Sequence, residues 1–492
     1  MNLLLDSWIP IGEKQVSLQE LLCTEHSHQI VLPRDDMEMA CLQLIISLVQ
    51  VIFLPENNDE LKEYTAKPMA KSVYESKIKP YVNWFDLNHP ETPFMQVRNV
   101  KAKEITPIQK LFVGLPEAAS PSFFNAPGEI EACCEPCVAI AIFNQASNAP
   151  GFGGGFKGPL RGGAPISLLI QSQKLRETIW LNIVSYDVLN KALTATTTQP
   201  VWVEKIDSNS TLMATEIDLL KGLFWQPAHI ELKKPFPKEK RGSCSFCGFI
   251  ASAYYTYFSK EKFNFSIEGL WPHPHSSRQY KVTKGVTVEE KTTSFTTDAP
   301  TWTRLQSLTF SQKKEKDGFI AALNIRQFAK RFPTKALHIS VGGYRTNQAK
   351  ILERRHELLG LAQGWQDSED VIEYIVSTGL EYKKILRNSL YFFVKGNSEK
   401  GQKGVQLDLH QIAEEYYYRA TENLIYQTLR NCDFKQRRKT IQTLMQKCRV
   451  EAESIFDEIT KPYLHDPRLL KSLAVARGKF YGGLKKIEME NL

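Results

Sequence analysis

The sequence lacks any uninterrupted apolar run long enough to cross a bilayer. Its longest candidate, Cys41 to Leu54, is broken by Gln43 and Gln50 and falls short of the roughly 18 residues a membrane span needs. The opening MNLLLDSWIP has no basic stretch and no small-residue cleavage site. That predicts no secretion signal and a soluble, cytoplasmic chain. Also missing are a GxSxG elbow, an HExxH pair, a kinase signature and a Gly-Lys-Ser/Thr P-loop, so no catalytic constellation is offered. Charge of one sign is in only mild excess: 62 Lys and Arg against 54 Asp and Glu, a net +8. Such a balance favours an acidic partner without establishing one.

What is present suffices for packed cores, since 42% of the 492 residues are hydrophobic and 24% charged. At about 150 residues per domain, this length predicts two to four domains. The last quarter reads as helices. Ser368 opens a run in which Val371, Ile372, Ile375, Leu386 and Leu390 recur near helical spacing until the Gly396 stop. Further helices are predicted from about Asp408 to Arg430, from Phe434 to about Ile459, and from an Asp466 cap with Pro467 at the first position to about Glu488. Four such helices joined by short loops predict a four-helix bundle over 366–492. Residues 1–365 mix β-like runs (Thr178 to Val184, Phe263 to Ile267, Ala336 to Val341) with helical stretches and many turns. The fold class expected is therefore α+β: a large irregular mixed domain, then an all-α bundle.

Two motifs carry chemistry. Nine cysteines scattered at random would give well under one Cys-x-x-Cys pair, yet Cys134/Cys137 and Cys244/Cys247 both occur. Two such knuckles suit a closed tetrahedral zinc site; a redox pair or buried free thiols are the other readings, and Cys133 complicates the count. Next, Gly151 to Gly163 holds seven glycines with Lys157 and Arg161. Gly153, Gly155 and Gly158 satisfy GxGxxG formally, but no strand precedes them and Pro159 stands where a helix would open. A loop whose backbone approaches a phosphate or a nucleic-acid groove fits, with the two cations supplying positive charge; a purely structural loop is the alternative.

Other clusters read as structural. Asp35, Asp36 and Glu38 precede a long apolar helix, where capping and dipole roles suffice, and His273-Pro-His275 reads as a structured turn. Gly342 to Gln348 reads as a turn with amide side chains. The basic stretches Lys260 to Lys262 and Lys435 to Lys439 are individually more often solvated faces than contacts.

Taken together, MNLLLDSWIP (1–10), LPRDDMEMA (32–40), NQASNAPGFGGGFKGPLRGG (144–163), GLFWQPAHIEL (222–232), GLWPHPHS (269–276) and GGYRTNQAKILERRHELL (342–359) resemble the large subunit of the type I-E CRISPR Cascade complex, the CasA family. The resemblance covers essentially the whole chain in order. It implies a non-enzymatic subunit that finds the protospacer-adjacent motif (PAM) on duplex DNA, starts strand separation and helps recruit a helicase-nuclease. It also implies as partners the CRISPR guide RNA, the target duplex and the backbone, guide-handle-binding and small subunits of Cascade, with no membrane. Carried over by position, Gly154 and Lys262 lie in the minor groove, Asn347 and Gln348 sit beside and beneath the PAM with Gln348 as wedge, and Phe123, Phe124 and Asn125 engage the guide-RNA handle. The knuckles match the family's metal-binding cysteines Cys134, Cys137, Cys244 and Cys247, implying structural zinc. Where family members can carry two adjacent lysines, this chain has Thr283-Lys284 with Lys281 nearby, which weakens Lys284 as a strand contact. Two competing readings remain at this point: a metal-dependent nuclease using His273, His275 and the Asp35 cluster, and a purely structural ribonucleoprotein scaffold.

Overall fold

A helix that is apolar all round has to be a core element, and Asp35–Ile52 is one. Met37 and every residue from Met39 to Ile52 are buried. Its buried Gln50 is answered by backbone: Nε2 donates to Val184 O at 2.8 Å, and Oε1 accepts from Val184 N at 2.7 Å. The Glu135–Ser147 helix, buried from Pro136 onward, packs against it, as does the Leu175–Leu181 helix. The computed structural model describes residues 1–102, 104–115, 129–237, 242–283, 286–313, 317–347, 350–397 and 401–490.

Around this helical centre lie small sheets of two to four strands. Ser167–Ile170 pairs antiparallel with Leu337–Asn347, in the register Ile339 to Ile170 and Gly342 to Ser167, and Lys350–Leu361 flanks the latter. Tyr257–Glu261 lies between Thr106–Pro107 and His229–Leu232. Phe265–Glu268 runs parallel to Ser210–Met213.

Two expectations fail locally. Thr178 to Val184 is not a strand: Leu175–Leu181 is helical, and the Asn182 side chain ends it by bonding Thr178 O, Ile170 O and Ile170 N, each at 2.8 Å. Ile179, Trp180, Leu181 and Ile183 are all buried, and a run apolar on every side carries no period to separate helix from strand. Gly342 to Asn347 is not a turn but the end of the Leu337–Asn347 strand. Its glycines serve close packing. A Cβ at Gly342 would lie 2.0 Å from Met39 Sδ, and one at Gly343 would lie 2.9 Å from Pro165 O.

The chain divides into two compact units, Met1–Asp298 with Ser307–Arg331 and Ile339–Leu358, and Ala299–Gln306 with Phe332–His338 and Leu359–Leu492. The second is thus not one continuous segment beginning at 366. Trp302 gives the reason: fully buried, it packs where a Cβ at Gly379 would stand 3.0 Å from its ring, so the 299–306 segment joins the helices. Those helices are Glu369–Lys395, Leu409–Asn431, Arg437–Thr460 and Leu470–Glu490. The first packs on the other three, and the second on the third. The last begins three residues later than Pro467 suggests, after a turn in which Asp466 Oδ1 accepts from the Arg468 backbone and guanidinium, at 3.0 and 2.9 Å. No helix among the described residues is long and apolar enough to cross a membrane.

Candidate nucleic-acid interface and cysteine cluster

The glycine-rich segment is a compact loop held open by left-handed backbone. Gly151, Gly153, Gly154 and Gly155 have φ of 94°, 77°, 56° and 86°, conformations that L side chains rarely adopt. The loop closes on itself, with Phe156 N donating to Gly153 O at 3.0 Å. A Cβ at Gly151 would lie 2.7 Å from Lys157 O, whereas one at the exposed Gly154 would meet nothing within 4 Å. Its outer face is therefore bare backbone.

Lys262, exposed and just past the Tyr257–Glu261 strand, comes to this face. Its Nζ stands 3.6 Å from where a Gly155 Cβ would be. The structure thus brings Gly154 and Lys262, predicted from sequence, into one patch. Phenylalanines support it from below: Phe152 packs against Phe156 and Phe258 with ring centroids 5.5 and 5.9 Å apart. Lys260 Nζ lies 5.1 Å from the Phe152 ring and Lys157 Nζ lies 6.0 Å from the Phe265 ring, so cations flank the loop over aromatic faces. Sequence reading missed these aromatics; their signal was the Phe-Gly-Gly-Gly-Phe spacing, two rings four residues apart across three glycines.

Arg161 is a correction. It does not face a ligand: at 3% exposure it is buried, with Nε on Ser147 O at 3.1 Å, NH1 on Ser276 Oγ at 2.8 Å and NH2 on Asn148 Oδ1. Burial pushes its guanidinium pKa down. It anchors the loop to the C-terminal end of the Glu135–Ser147 helix, where the helix dipole favours a cation.

The four predicted cysteines converge. The sulfurs of Cys134, Cys137, Cys244 and Cys247 all lie within 4.8 Å of one another, and among the described residues they form the one such His, Cys, Asp or Glu group. Cys134 is the N-cap of the Glu135–Ser147 helix, placing Cys137 in its first turn. The other knuckle is a turn closed by Gly248 N on Cys244 O at 2.9 Å. Ser245 ties it to Ala132, donating to Ala132 O at 2.9 Å and accepting from Ala132 N at 2.8 Å. Cys134 Sγ and Cys247 Sγ are 3.7 Å apart; sulfurs at the corners of a tetrahedron with metal–sulfur bonds of about 2.3 Å are separated by about 3.8 Å. The donor set fits a structural zinc. Hydrogen bonds from neighbouring thiols hold Cys244 and Cys247 below the usual thiol range, while burial drives Cys133 above it. No cysteine is disulfide-bonded.

The family model for CRISPR-associated protein Cse1 matches residues 2–455. The chain belongs to the Cse1 family. Its fold is similar to that of CasA from Thermus thermophilus (17% identity, 99% of both chains, TM-score 0.74) and of Thermobifida fusca Cse1 (15% identity, 99% of this chain and 97% of that one, TM-score 0.74). A chain of a CRISPR RNA-guided surveillance complex also matches, at 14% identity over 98% of this chain and 99% of that one, with a TM-score of 0.69.

The remaining residues expected from sequence are placed as follows. Asn347 is exposed at the end of its strand, behind the Arg345–Glu353 pair at 2.8 Å. Gln348, Lys284, Phe123, Phe124 and Asn125 lie outside the described residues. The nuclease candidates are used structurally. His273 and His275 are buried, His275 Nε2 sits 3.0 Å from Asn182 O, and burial pushes His275 down to about 4 and His273 well below the usual range, so both are neutral. Asp36 binds Arg34 at 2.7 Å and Tyr344 Oη at 2.8 Å, Asp35 binds Arg354 at 2.6 Å, and Glu38 accepts from Leu32 N at 2.9 Å. The run from Lys435 to Lys439 is exposed, with Arg437 paired to Asp370 at 3.3 Å.

Proposed function

We propose that this chain is the non-catalytic large subunit of a type I-E Cascade, reading the PAM of duplex DNA through the minor groove. The observation that carries the reading is the approach of Lys262 to the bare backbone of Gly155, next to the exposed Gly154. A minor groove is only about 6 Å wide and shows little beyond A·T-type acceptors or the extra guanine amine. A loop without side chains can enter it, and one lysine can meet its acceptors. Such a reader accepts several related motifs rather than one strict sequence. Asn347 and Gln348 then act at the adjacent base step, Gln348 as wedge. Unstacking there costs a few kcal/mol, which is offset because guide RNA re-pairs the opened strand in a nearly balanced exchange. Phe123, Phe124 and Asn125 engage the guide handle, Lys284 contacts the displaced strand, the remaining Cascade subunits hold the chain in place, and a helicase-nuclease is recruited to the opened DNA. Cys134, Cys137, Cys244 and Cys247 hold a structural zinc.

The test uses guide-loaded complex assembled with and without this chain, at one fixed salt concentration, because phosphate contacts make affinity salt-dependent. Binding is compared for a PAM-bearing duplex, the same duplex with a scrambled PAM, and the single target strand. Selective strengthening of the first, lost in Lys262→Ala, supports the reading. Equal strengthening of all three would leave a general clamp or scaffold.

A further inference from the structure

The Arg161 anchor is one end of a longer line of buried polar side chains. Arg161, leaving the glycine-rich loop, donates to Asn148 Oδ1. Asn148 Nδ2 donates to Asn144 Oδ1 at 3.0 Å, Asn144 Nδ2 donates to Tyr344 Oη at 2.9 Å, and Tyr344 Oη donates to Asp36 Oδ2 at 2.8 Å. Every bond points the same way, from a buried cation to a carboxylate, so each polarises the next. Exposures of 3%, 8%, 1% and 2% for Arg161, Asn148, Asn144 and Tyr344 exclude solvent as a substitute partner.

The members come from different elements. Asn144 and Asn148, four residues apart and so on one face of a helix, belong to the end of Glu135–Ser147 and its cap. Tyr344 belongs to the strand that ends at Asn347, three residues and about 10 Å further along. A side branch reinforces the link: Ser167 Oγ donates to Asn148 Oδ1 at 3.4 Å, and Ser167 pairs with Gly342 of the same strand. At the other end the residues flanking Arg161 pack against the start of the loop. Positions Gly158 and Gly163 both lie against Pro150, at 3.5 and 3.9 Å from where their Cβ atoms would be.

We infer that the line Arg161–Asn148–Asn144–Tyr344–Asp36 sets the register between the glycine-rich loop and the strand that delivers Asn347, making its members positioning residues for duplex recognition. An apolar contact would let the strand slide against the helix, whereas a directed hydrogen-bond chain is satisfied in one register only. The inference rests on the PAM-reading function proposed above.

The experiment uses the full guide-loaded complex with Arg161→Met, Tyr344→Phe and, as reference, Lys262→Ala. It reads the affinity ratio of PAM to scrambled-PAM duplex, and hydrogen exchange of the chain. The inference expects Tyr344→Phe, which removes one hydroxyl, to lower the ratio about tenfold while single-strand binding is unchanged. It also expects faster exchange in 151–163 as well as in 339–347, although Tyr344 does not belong to the loop. Arg161→Met should do the same from the opposite end. If Lys262→Ala lowers the ratio but Tyr344→Phe does not, and exchange rises only in 339–347, the register role is overturned and the PAM reading stands. If Lys262→Ala leaves the ratio unchanged, the PAM reading fails, and the spread of exchange into 151–163 alone upholds or overturns the link.

Discussion

Replacing Cys247 by serine removes one corner of the proposed metal site at its most accessible position. The knuckles are separated by 106 residues, so a metal held there would act as a cross-link closing a long loop. By the chain-entropy estimate for cross-links, a loop of that size contributes about 4 to 5 kcal/mol. The unit that contains it has roughly 340 residues, with an unfolding entropy of about 0.7 kcal/mol per kelvin, so losing the clip lowers its melting temperature by about 6 °C. The assay pairs metal analysis of the purified chain with thermal denaturation, before and after a strong chelator. We expect one zinc per wild-type chain, much less in Cys247→Ser, and a chelator-induced drop in the wild type matching the variant's own deficit. A metal-free wild-type chain whose melting is indifferent to both chelator and substitution would refute the reasoning.

Three further outcomes follow from particular geometries. Gly154→Ala meets nothing within 4 Å and adopts φ 56° at a cost of about 1 kcal/mol, so melting should barely change while selective PAM-duplex binding falls; unchanged binding in a gel-shift titration would contradict the groove placement. Gly151→Ala combines φ 94° with a Cβ 2.7 Å from Lys157 O, and should open the loop, read as faster tryptic cleavage at Lys157. His275 is neutral when folded, with its pKa held near 4 by burial, against about 6.5 unfolded. The unfolded chain therefore binds the extra proton, and the contribution present above pH 6.5 is lost as pH falls toward 4, by about 3 kcal/mol. His275→Gln should flatten that part of a melting-versus-pH curve.

Much of this was legible from residues alone where a period or a rare spacing existed. The helices at Glu369–Lys395 and Leu409–Asn431 start within a residue of their expected positions, because one face of each is apolar and the other charged. The cysteine cluster was legible because paired knuckles are improbable by chance. Burial was not legible. Arg161 looks like a ligand-facing cation in sequence, since nothing local says that Asn148 and Ser276 close over it. Gly342 and Gly343 look like a turn because glycine signals both flexibility and close approach, and only Met39 and Pro165 decide between them. The second unit's outlying segments were hidden for a similar reason: Trp302 does not announce which core it enters.

One helix explains why a cysteine cluster and a glycine-rich loop belong to the same molecule. Glu135–Ser147, about 20 Å long at 1.5 Å per residue, begins at Cys134 and ends where Asn148 and Arg161 hold the loop. The opposite knuckle leads, through the backbone bridge between Cys133 and Tyr255 (2.9 and 2.8 Å), into the strand that delivers Lys262. Loop and lysine are thus the far ends of two segments whose near ends meet at the cysteines. Fixing the near ends leaves each segment few ways to place its far end, and the approach of Lys262 to Gly155 follows. On the PAM reading proposed above, Cys247→Ser should weaken PAM selectivity by more than its loss of stability alone would produce, although the cluster itself does not contact DNA in that reading.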